Sequence, residues 1–324
     1  MGYLYALIAA VLFGANGSVT KVIVESGVNP AQLTLFRTLG TALIAGAILV
    51  ITDRSAFRIS ARTLGVMAIL GVMGVAGLQF FYAVALSLMP VGITLLLEYT
   101  AVLAVAVIAF VFFKEKVRAR LWVAIGCVLA GLALVAEIWS SSLSGPGVIA
   151  ALLAATALTV YFLVGERQVT ATSPMAVAFW STLFAGLFWL FFSAWWTLEP
   201  STLTEAAALD GTLDAVTVPV WVVLLWNVLL GTFAPFYFSF MAMRRLSATV
   251  VGIVASSEVV FGFGFAWLWR GETLAPVQIL GAGVVLLGIV LAQTARAGKA
   301  VDLDLAVMDD ARRPVPARDV GGSA

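Results

Sequence analysis

The chain has 324 residues, of which 62% are hydrophobic and 11% are charged, and its net charge is +1. Soluble globular proteins carry about 25% charged residues, so this composition excludes a water-facing fold and predicts a membrane protein. The sequence has no histidine and a single cysteine, Cys127. These counts disfavour Ser-His-Asp catalysis, histidine metal sites and an intrachain disulfide.

Runs of mostly apolar residues, each close to the roughly 20 residues that cross a bilayer as a helix, follow one another along the chain. The first run lacks the basic segment of a secretory signal peptide, so we expect it to be retained as a helix. The predicted fold class is an all-α membrane protein with ten transmembrane helices. They are 3–24, 31–51, 63–86, 91–113, 121–139, 147–165, 174–196, 218–242, 248–269 and 275–294.

Basic residues predict the orientation of these spans, because Lys and Arg are enriched in cytoplasmic connections. If the N-terminus is cytoplasmic, the polar stretch 197–217 lies outside, and it contains no Lys or Arg. Both termini are then expected in the cytoplasm, and the outer connections hold only Arg270, and Lys21 if it reaches the surface. The cytoplasmic connections contain Arg54, Arg58, Arg62, Lys114, Lys116, Arg118, Arg120, Arg167, Arg244 and Arg245.

Matching residues at a constant spacing predict an internal repeat. Glu115 and Glu272 are 157 residues apart, and Pro30 and Pro174 are 144 apart. Each half holds five predicted spans, so the two halves must cross the membrane in opposite directions. We therefore predict two inverted five-helix repeats, 1–139 and 147–295, an outer linker, 140–146, and a disordered cytoplasmic tail, 296–324. Inverted repeats are typical of alternating-access transporters with a site near mid-membrane. The 157-residue offset also joins Gly74 to Gly231, Gly126 to Gly283 and Gly131 to Gly288.

Short motifs occur in a defined order along the chain: Gly14-Ala15-Asn16-Gly17 with Lys21, Pro30 with Arg37, Leu97-Glu98-Tyr99-Thr100, Glu258, and Gly271-Glu272 with Gln278 and Gly281. In this order, residues 3–294 resemble the EamA-type ten-helix transporters of the drug/metabolite transporter superfamily. The Leu97-Glu98-Tyr99-Thr100 stretch is similar to that of threonine/homoserine exporters in this family. The resemblance implies export of small metabolites, with amino acids the leading class, across the bacterial inner membrane. Val102 and Val259 stand where the family often has proline, so the usual helix break is missing or shifted.

Arg37, Glu98 and Glu258 lie well inside the predicted spans. A charged side chain at the bilayer centre costs about 2.5–3.5 kcal/mol on insertion scales, so such residues commonly face the bundle interior and have a function. Either glutamate could bind a substrate amine or a coupling proton. Alternatively, each pairs with Arg37 or stays neutral in a hydrogen bond and contributes only to packing. Arg37 could hold a substrate carboxylate or extend to the outer interface.

Five further polar or aromatic residues within the spans are candidates for lining a substrate cavity. Gln79 and Tyr82 share one face of the third span, and Tyr161 matches Asn16 at an offset of 145. Trp180 lies early in the seventh span. The alternative for each is hydrogen bonding between helices, which is common for polar groups in spans.

The preferred function is a secondary transporter that exports small metabolites by alternating access. No Walker motif is present, so proton-coupled and passive transport both stay open. The alternatives are a passive facilitator or channel, or an intramembrane enzyme, which the lack of histidine disfavours. No cofactor is expected. The expected partners are a small-molecule substrate and the lipid bilayer, not nucleic acid, and the chain is expected to be a monomer or homodimer.

Overall fold

The computed structural model describes residues 1–101, 104, 119–135, 144–246, 251, 254–273, 275–288 and 290–291. These residues are mostly helical. The helices of eight residues or more are α1 (Gly2–Glu25), α2 (Pro30–Thr52), α3 (Ala61–Leu88), α4 (Val91–Glu98), α5 (Ala119–Val135), α6 (Gly145–Ala171), α7 (Pro174–Phe192), α8 (Val220–Met243), α9 (Ser257–Arg270) and α10 (Pro276–Gly288). Six of them, α1, α2, α3, α6, α7 and α8, are long and apolar enough to cross a membrane.

Several sequence predictions concern residues outside the described ranges. They include Glu115, which the repeat argument used, and most of the linker 140–146. The tail 296–324 and the connection containing Lys114, Lys116 and Arg118 also lie outside these ranges.

Two helices begin with the same local arrangement, a polar cap followed by proline. The Asn29 side chain accepts backbone hydrogen bonds from the first turn of α2, and Pro30 is the first helical residue. Ser173 and Pro174 do the same at the start of α7. A cap satisfies backbone N–H groups that have no helical partner, and proline has no N–H to leave unpaired. The two arrangements are 144 residues apart in the sequence.

Two spans contain a π-helical turn, where the sequence predicts regular helices. The turn covers Leu70–Ala76 in α3 and Leu229–Phe233 in α8. Such turns are rare and occur frequently at functional sites. Gly74 and Gly231, which are 157 residues apart, lie in these two turns.

The helices that carry the two buried glutamates border irregular turns. Helix α4 ends at Glu98 and is followed by a turn at 99–100, and a turn at Ser256 precedes α9. The two turns begin three residues ahead of Val102 and Val259, the positions where proline was expected. The helix irregularity is therefore shifted along the chain rather than missing.

The polar stretch 197–217 contains secondary structure that the sequence analysis did not predict. Strands β1 (Ala206–Ala208) and β2 (Thr217–Pro219) pair in an antiparallel hairpin. The Trp269 indole Nε1 donates a hydrogen bond of 2.8 Å to the Leu209 carbonyl. This bond attaches the hairpin to the C-terminal end of α9.

The outer surface of the bundle is apolar. Large hydrophobic side chains on several helices are exposed, among them Leu43 and Phe191, each 74% exposed, and Trp267, 62% exposed. Contiguous apolar surface of this kind marks a face that contacts lipid or protein. Together with the six long apolar helices, it identifies a multi-pass membrane protein.

Helices α5 and α10 approach each other closely at two glycines. A Cβ atom on Gly131 would lie 2.7 Å from the Gly281 carbonyl oxygen, and one on Gly288 would lie 2.9 Å from the Ala124 carbonyl oxygen. Only glycine permits this approach without displacing the backbone of the facing helix.

Candidate functional site

Polar side chains from seven helices meet in the bundle interior around two adjoining cavities. The smaller cavity, of about 320 Å³, and the larger cavity, of about 520 Å³, share Glu98, Glu258, Phe13, Leu78 and Phe236 in their walls. The smaller cavity is also lined by Asn16, Arg37, Gln79 and Tyr82.

Arg37 is held in the smaller cavity by the π-helical turn of α8. Its side chain is 1% exposed, so the alternative that it extends to the outer interface is wrong. The Nε atom donates to the Thr232 hydroxyl at 3.0 Å, and Nη2 donates to the Gly231 carbonyl at 3.4 Å. The buried Nη1 atom has no hydrogen-bond partner. Arg37 therefore keeps a free donor in the buried site.

Glu98 and Tyr82 also have unpartnered atoms in the smaller cavity. The Glu98 carboxylate is 6% exposed, and its Oε2 atom accepts no hydrogen bond. The Tyr82 hydroxyl is likewise buried without a partner. Glu98 and Arg37 both line the smaller cavity, yet within the described residues they form no ion pair at 4.0 Å or less. The proposed pairing of Glu98 with Arg37 is therefore not formed in this conformation.

Glu258 differs from Glu98 because it has a neutral partner. The Tyr99 hydroxyl donates to Glu258 Oε2 at 2.6 Å, and both residues line the larger cavity. On the other side of this cavity, the Tyr161 hydroxyl donates to the Ser239 hydroxyl at 3.3 Å. The polar groups that reach the larger cavity are thus largely bonded to one another.

Asn16 combines a cavity position with a contact between helices. Its Oδ1 atom accepts a hydrogen bond of 2.7 Å from Asn227, which also donates to the Thr20 hydroxyl at 3.2 Å. The same residue lines the smaller cavity. Asn16 therefore lines a cavity and also bonds to another helix, which are the two alternatives considered for it.

The structure brings seven of the eight sequence-predicted site residues to the two cavities, and Trp180 is the exception. Its indole Nε1 donates to the Ala56 carbonyl at 3.1 Å, and its ring packs against Phe179 and Phe184. Trp180 lines neither cavity, because it lies on the side of α7 that faces the connection after α2. Its hydrogen bond joins α7 to the connection after α2.

Ion pairs join the bundle at the end where α9 meets α10. Lys21 Nζ lies 2.8 Å from Glu272 Oε1, and Glu272 Oε2 accepts a hydrogen bond from the Val91 N–H. Arg270 pairs with Glu25 at 2.8 Å and with Asp210 at 3.3 Å. We call these three contacts the end ion pairs. Lys21 therefore reaches an ion pair rather than open solvent.

Three site residues escaped the sequence analysis. Asn227 and Thr232 lie in α8 and hold Asn16 and Arg37, and Ser239 faces the larger cavity. Asn227 could have been found, because it is one of only three asparagines in the chain and lies inside a span. Thr232 and Ser239 gave no comparable signal, since hydroxyls are common within membrane helices. Among the described residues, no cluster of His, Cys, Asp and Glu could hold a metal ion.

Apolar helices around interior cavities with buried polar side chains in their walls define an integral membrane protein with a candidate internal site. Comparison with known families makes this class specific. The EamA-like transporter family matches residues 1–136 and 145–294. The chain therefore belongs to the EamA-like transporter family, within the drug/metabolite transporter superfamily, as the resemblance predicted.

Two named relatives are exporters. The threonine/homoserine exporter RhtA of Escherichia coli (strain K12) is 24% identical over 222 residues, which cover 66% of this chain and 66% of the exporter. RhtA of Salmonella typhimurium (strain LT2) matches with the same identity and coverage. The match thus spans about two thirds of the length of these relatives.

A solved crystal structure shares the fold. It aligns with a TM-score of 0.64 at 18% identity, and the alignment covers 91% of this chain and 98% of that chain. At this identity the likeness establishes the fold alone.

Proposed function

We propose that this protein is a secondary transporter that exports a small metabolite, with amino acids the leading class, from a bacterial cytoplasm by alternating access. The observation that carries the proposal is the interior cavity in which Arg37, Glu98 and Tyr82 have buried atoms without partners. Unpaired buried polar groups are costly unless a ligand completes them. The relatives named as threonine/homoserine exporters support the substrate class and the direction.

The proposed architecture is ten spans in two inverted repeats, residues 1–139 and 147–295. Reciprocal contacts support it. Gly131 approaches Gly281, while Gly288 approaches Ala124, and both relations exchange residues that are 157 apart. A two-fold relation between the halves produces such exchanged contacts.

A second pair of contacts supports the same two-fold relation. Gly74 lies in the π turn of α3 and packs against the Tyr161 backbone. A Cβ atom added to Gly74 would lie 3.3 Å from the Tyr161 Cα atom. Gly231 in the π turn of α8 packs against the Asn16 side chain. Gly74 and Gly231 are 157 residues apart, and Asn16 and Tyr161 are 145 apart. Each half therefore places its third helix on the first helix of the other half.

The conformation is proposed to be closed at the outer side and to load from the cytoplasm. The end ion pairs close the bundle where α1 meets α9 and α10. The larger cavity extends in the other direction, toward Ala6 and Ala9 in the first turns of α1. With the N-terminus in the cytoplasm, as the distribution of basic residues predicts, this direction leads to the cytoplasm.

Overexpression in bacterial cells tests the transport function. Excreted metabolites are compared between cells that express the wild-type chain, the Glu98→Gln variant or an empty vector. We expect at least one amino acid or related compound to accumulate outside only with the wild-type chain. Unchanged excretion with all three would contradict the proposal.

Reconstituted vesicles test the mechanism. Saturable counterflow of the excreted compound supports a carrier, whereas single-channel currents would indicate a pore. Applying a pH gradient then separates proton-coupled export from passive facilitation. Flux that ignores the gradient would remove the proton from the mechanism and leave the carrier.

A further inference from the structure

We propose that the two cavities together bind a zwitterionic α-amino acid with an apolar side chain. Arg37 holds the carboxylate, Glu98 holds the ammonium group, and the larger cavity receives the side chain. This inference rests on the proposed function and assigns the substrate groups to particular residues of the same site.

The smaller cavity is lined by the two residues that complement the charged groups of an amino acid. Arg37 Nη1 and Glu98 Oε2 are buried and unpartnered, and both side chains line this cavity. An ionised Glu98 carries the charge opposite to that of Arg37. A guanidinium complements a carboxylate, and a carboxylate complements an ammonium group, through charge-assisted hydrogen bonds. An α-amino acid offers both charges on neighbouring atoms, so one ligand completes both residues.

A single ion fits the smaller cavity less well. A cation would complete Glu98 but would repel Arg37, and an anion would do the reverse. The two side chains do not neutralise each other directly, because within the described residues they form no ion pair. The Tyr82 hydroxyl, also buried without a partner, supplies one further donor or acceptor beside the charged groups.

The larger cavity is suited to an apolar substrate side chain. Most of its wall consists of Ala, Leu, Val and Phe side chains. The rings of Phe13 and Phe236 lie 5.3 Å apart at its border, and the Tyr161 ring lies 5.4 Å from Phe236. Such a wall gains most from an apolar or aromatic substrate side chain.

The polar groups of the larger cavity offer little to a substrate hydroxyl. Tyr99 is bonded to Glu258, and Tyr161 is bonded to Ser239. A threonine or homoserine hydroxyl would exchange its water contacts for groups that are already hydrogen-bonded, so it would gain less there than an apolar side chain. Hydrophobic pockets discriminate against an added hydroxyl by up to about 100-fold. The site is therefore expected to favour leucine and phenylalanine over threonine.

Counterflow competition with the purified full-length chain in lipid vesicles tests this assignment. Vesicles loaded with leucine take up labelled leucine in the presence of leucine, phenylalanine, threonine, 3-methylbutylamine or 4-methylpentanoate. The last two compounds resemble leucine without its carboxylate and without its amine. We expect leucine and phenylalanine to compete at concentrations about 10-fold below threonine, and the two single-charge compounds to fail.

Variants connect each substrate group to its residue. Arg37→Gln and Glu98→Gln should each raise the half-competing concentration of leucine about 10- to 100-fold, since each removes a charge-assisted hydrogen bond. Thr41→Ala is the matched control, because Thr41 lies one turn from Arg37, is buried with an unpartnered hydroxyl, and lines neither cavity. It should compete as the wild-type chain does. Melting temperature in detergent checks that each variant folds.

Ala255→Leu provides a readout that misfolding would not produce. Ala255 lines the larger cavity, so the added side chain should weaken competition by phenylalanine much more than competition by alanine. Equal loss for both amino acids, or threonine competing as well as leucine, would overturn the assignment. Competition by 3-methylbutylamine at leucine concentrations would do the same.

The inference and the proposed function fail in different ways. If the vesicles move another metabolite while every amino acid fails to compete, transport stands and the zwitterion assignment is wrong. If cells and vesicles show no transport of any solute, the proposed function itself is wrong, and the assignment falls with it.

Discussion

At the end of the bundle where α9 meets α10, the charged side chains that join the helices are paired. Lys21 contacts Glu272 at 2.8 Å, and Arg270 contacts both Glu25 and Asp210. The second carboxylate oxygen of Glu272 is also used, because it accepts the Val91 N–H. These groups are partly exposed and have their partners within the protein.

The bundle interior presents the opposite arrangement. Arg37, Glu98 and Tyr82 are nearly inaccessible to solvent, yet each keeps an atom without a partner. Burial without pairing is the more expensive condition, so its presence around a cavity indicates a ligand site, while complete pairing indicates a structural closure. We therefore expect Arg37, Glu98 and Tyr82 to bind the solute and the end ion pairs to stabilise the closed end of the bundle.

The largest expected effect concerns the unpaired interior. Glu98→Gln keeps the size of the side chain and removes its charge, so transport should fall about 10- to 100-fold while the melting temperature stays near that of the wild-type chain. Initial rates in vesicles and thermal unfolding in detergent measure the two quantities. Glu258→Gln serves as the comparison, since Tyr99 can still donate to the amide oxygen of the new side chain. Normal transport in both variants would remove the glutamates from the mechanism.

The next effect concerns the helix contact that positions Arg37. A Cβ on Gly231 would collide with the Asn16 side chain, so Gly231→Ala should destabilise the protein by about 1–3 kcal/mol, as overpacking does. Gly264→Ala is the matched control, because an added Cβ there meets nothing within 4 Å. Thermal unfolding of the two variants measures the difference. Equal stability would mean that α1 and α8 are not packed as described.

The smallest effect concerns the end ion pairs. Glu272→Gln loses the charge that pairs with Lys21 but can still accept the Val91 N–H. Because both partners are partly exposed, the variant should lose no more than about 1 kcal/mol of stability. Transport should stay near the wild-type rate, since Glu272 lines neither cavity. A loss of transport as large as that expected for Glu98→Gln would mean that the end ion pairs contribute to binding, which contradicts the distinction between the two regions.

Much of the fold follows from patterns that the sequence displays directly. Apolar runs predict membrane helices without reference to their neighbours, because each run must match the bilayer thickness. The site residues Arg37, Glu98 and Glu258 were identified for a similar reason, since charge within a span is costly wherever it occurs. Family membership followed from the order of motifs and is confirmed by the match over residues 1–136 and 145–294.

Other features depend on tertiary contacts that no local pattern contains. The π turns that bring Thr232 to Arg37 and the hairpin on α9 arise from packing between distant segments. The same holds for Trp180, whose hydrogen bond to Ala56 turns it away from the cavities. Which buried groups are paired and which stay free can be seen only once the helices are assembled.

The inverted threading of the two halves is the central claim, and sided labelling of single cysteines tests it most directly. In a Cys127→Ser background, Ser55→Cys and Ser201→Cys place one thiol in the connection after the second helix of each half, and both positions are exposed. In intact cells, a membrane-impermeant maleimide should label Ser201→Cys at once and Ser55→Cys only after the membrane is opened. Labelling of both thiols from the same side would contradict the account.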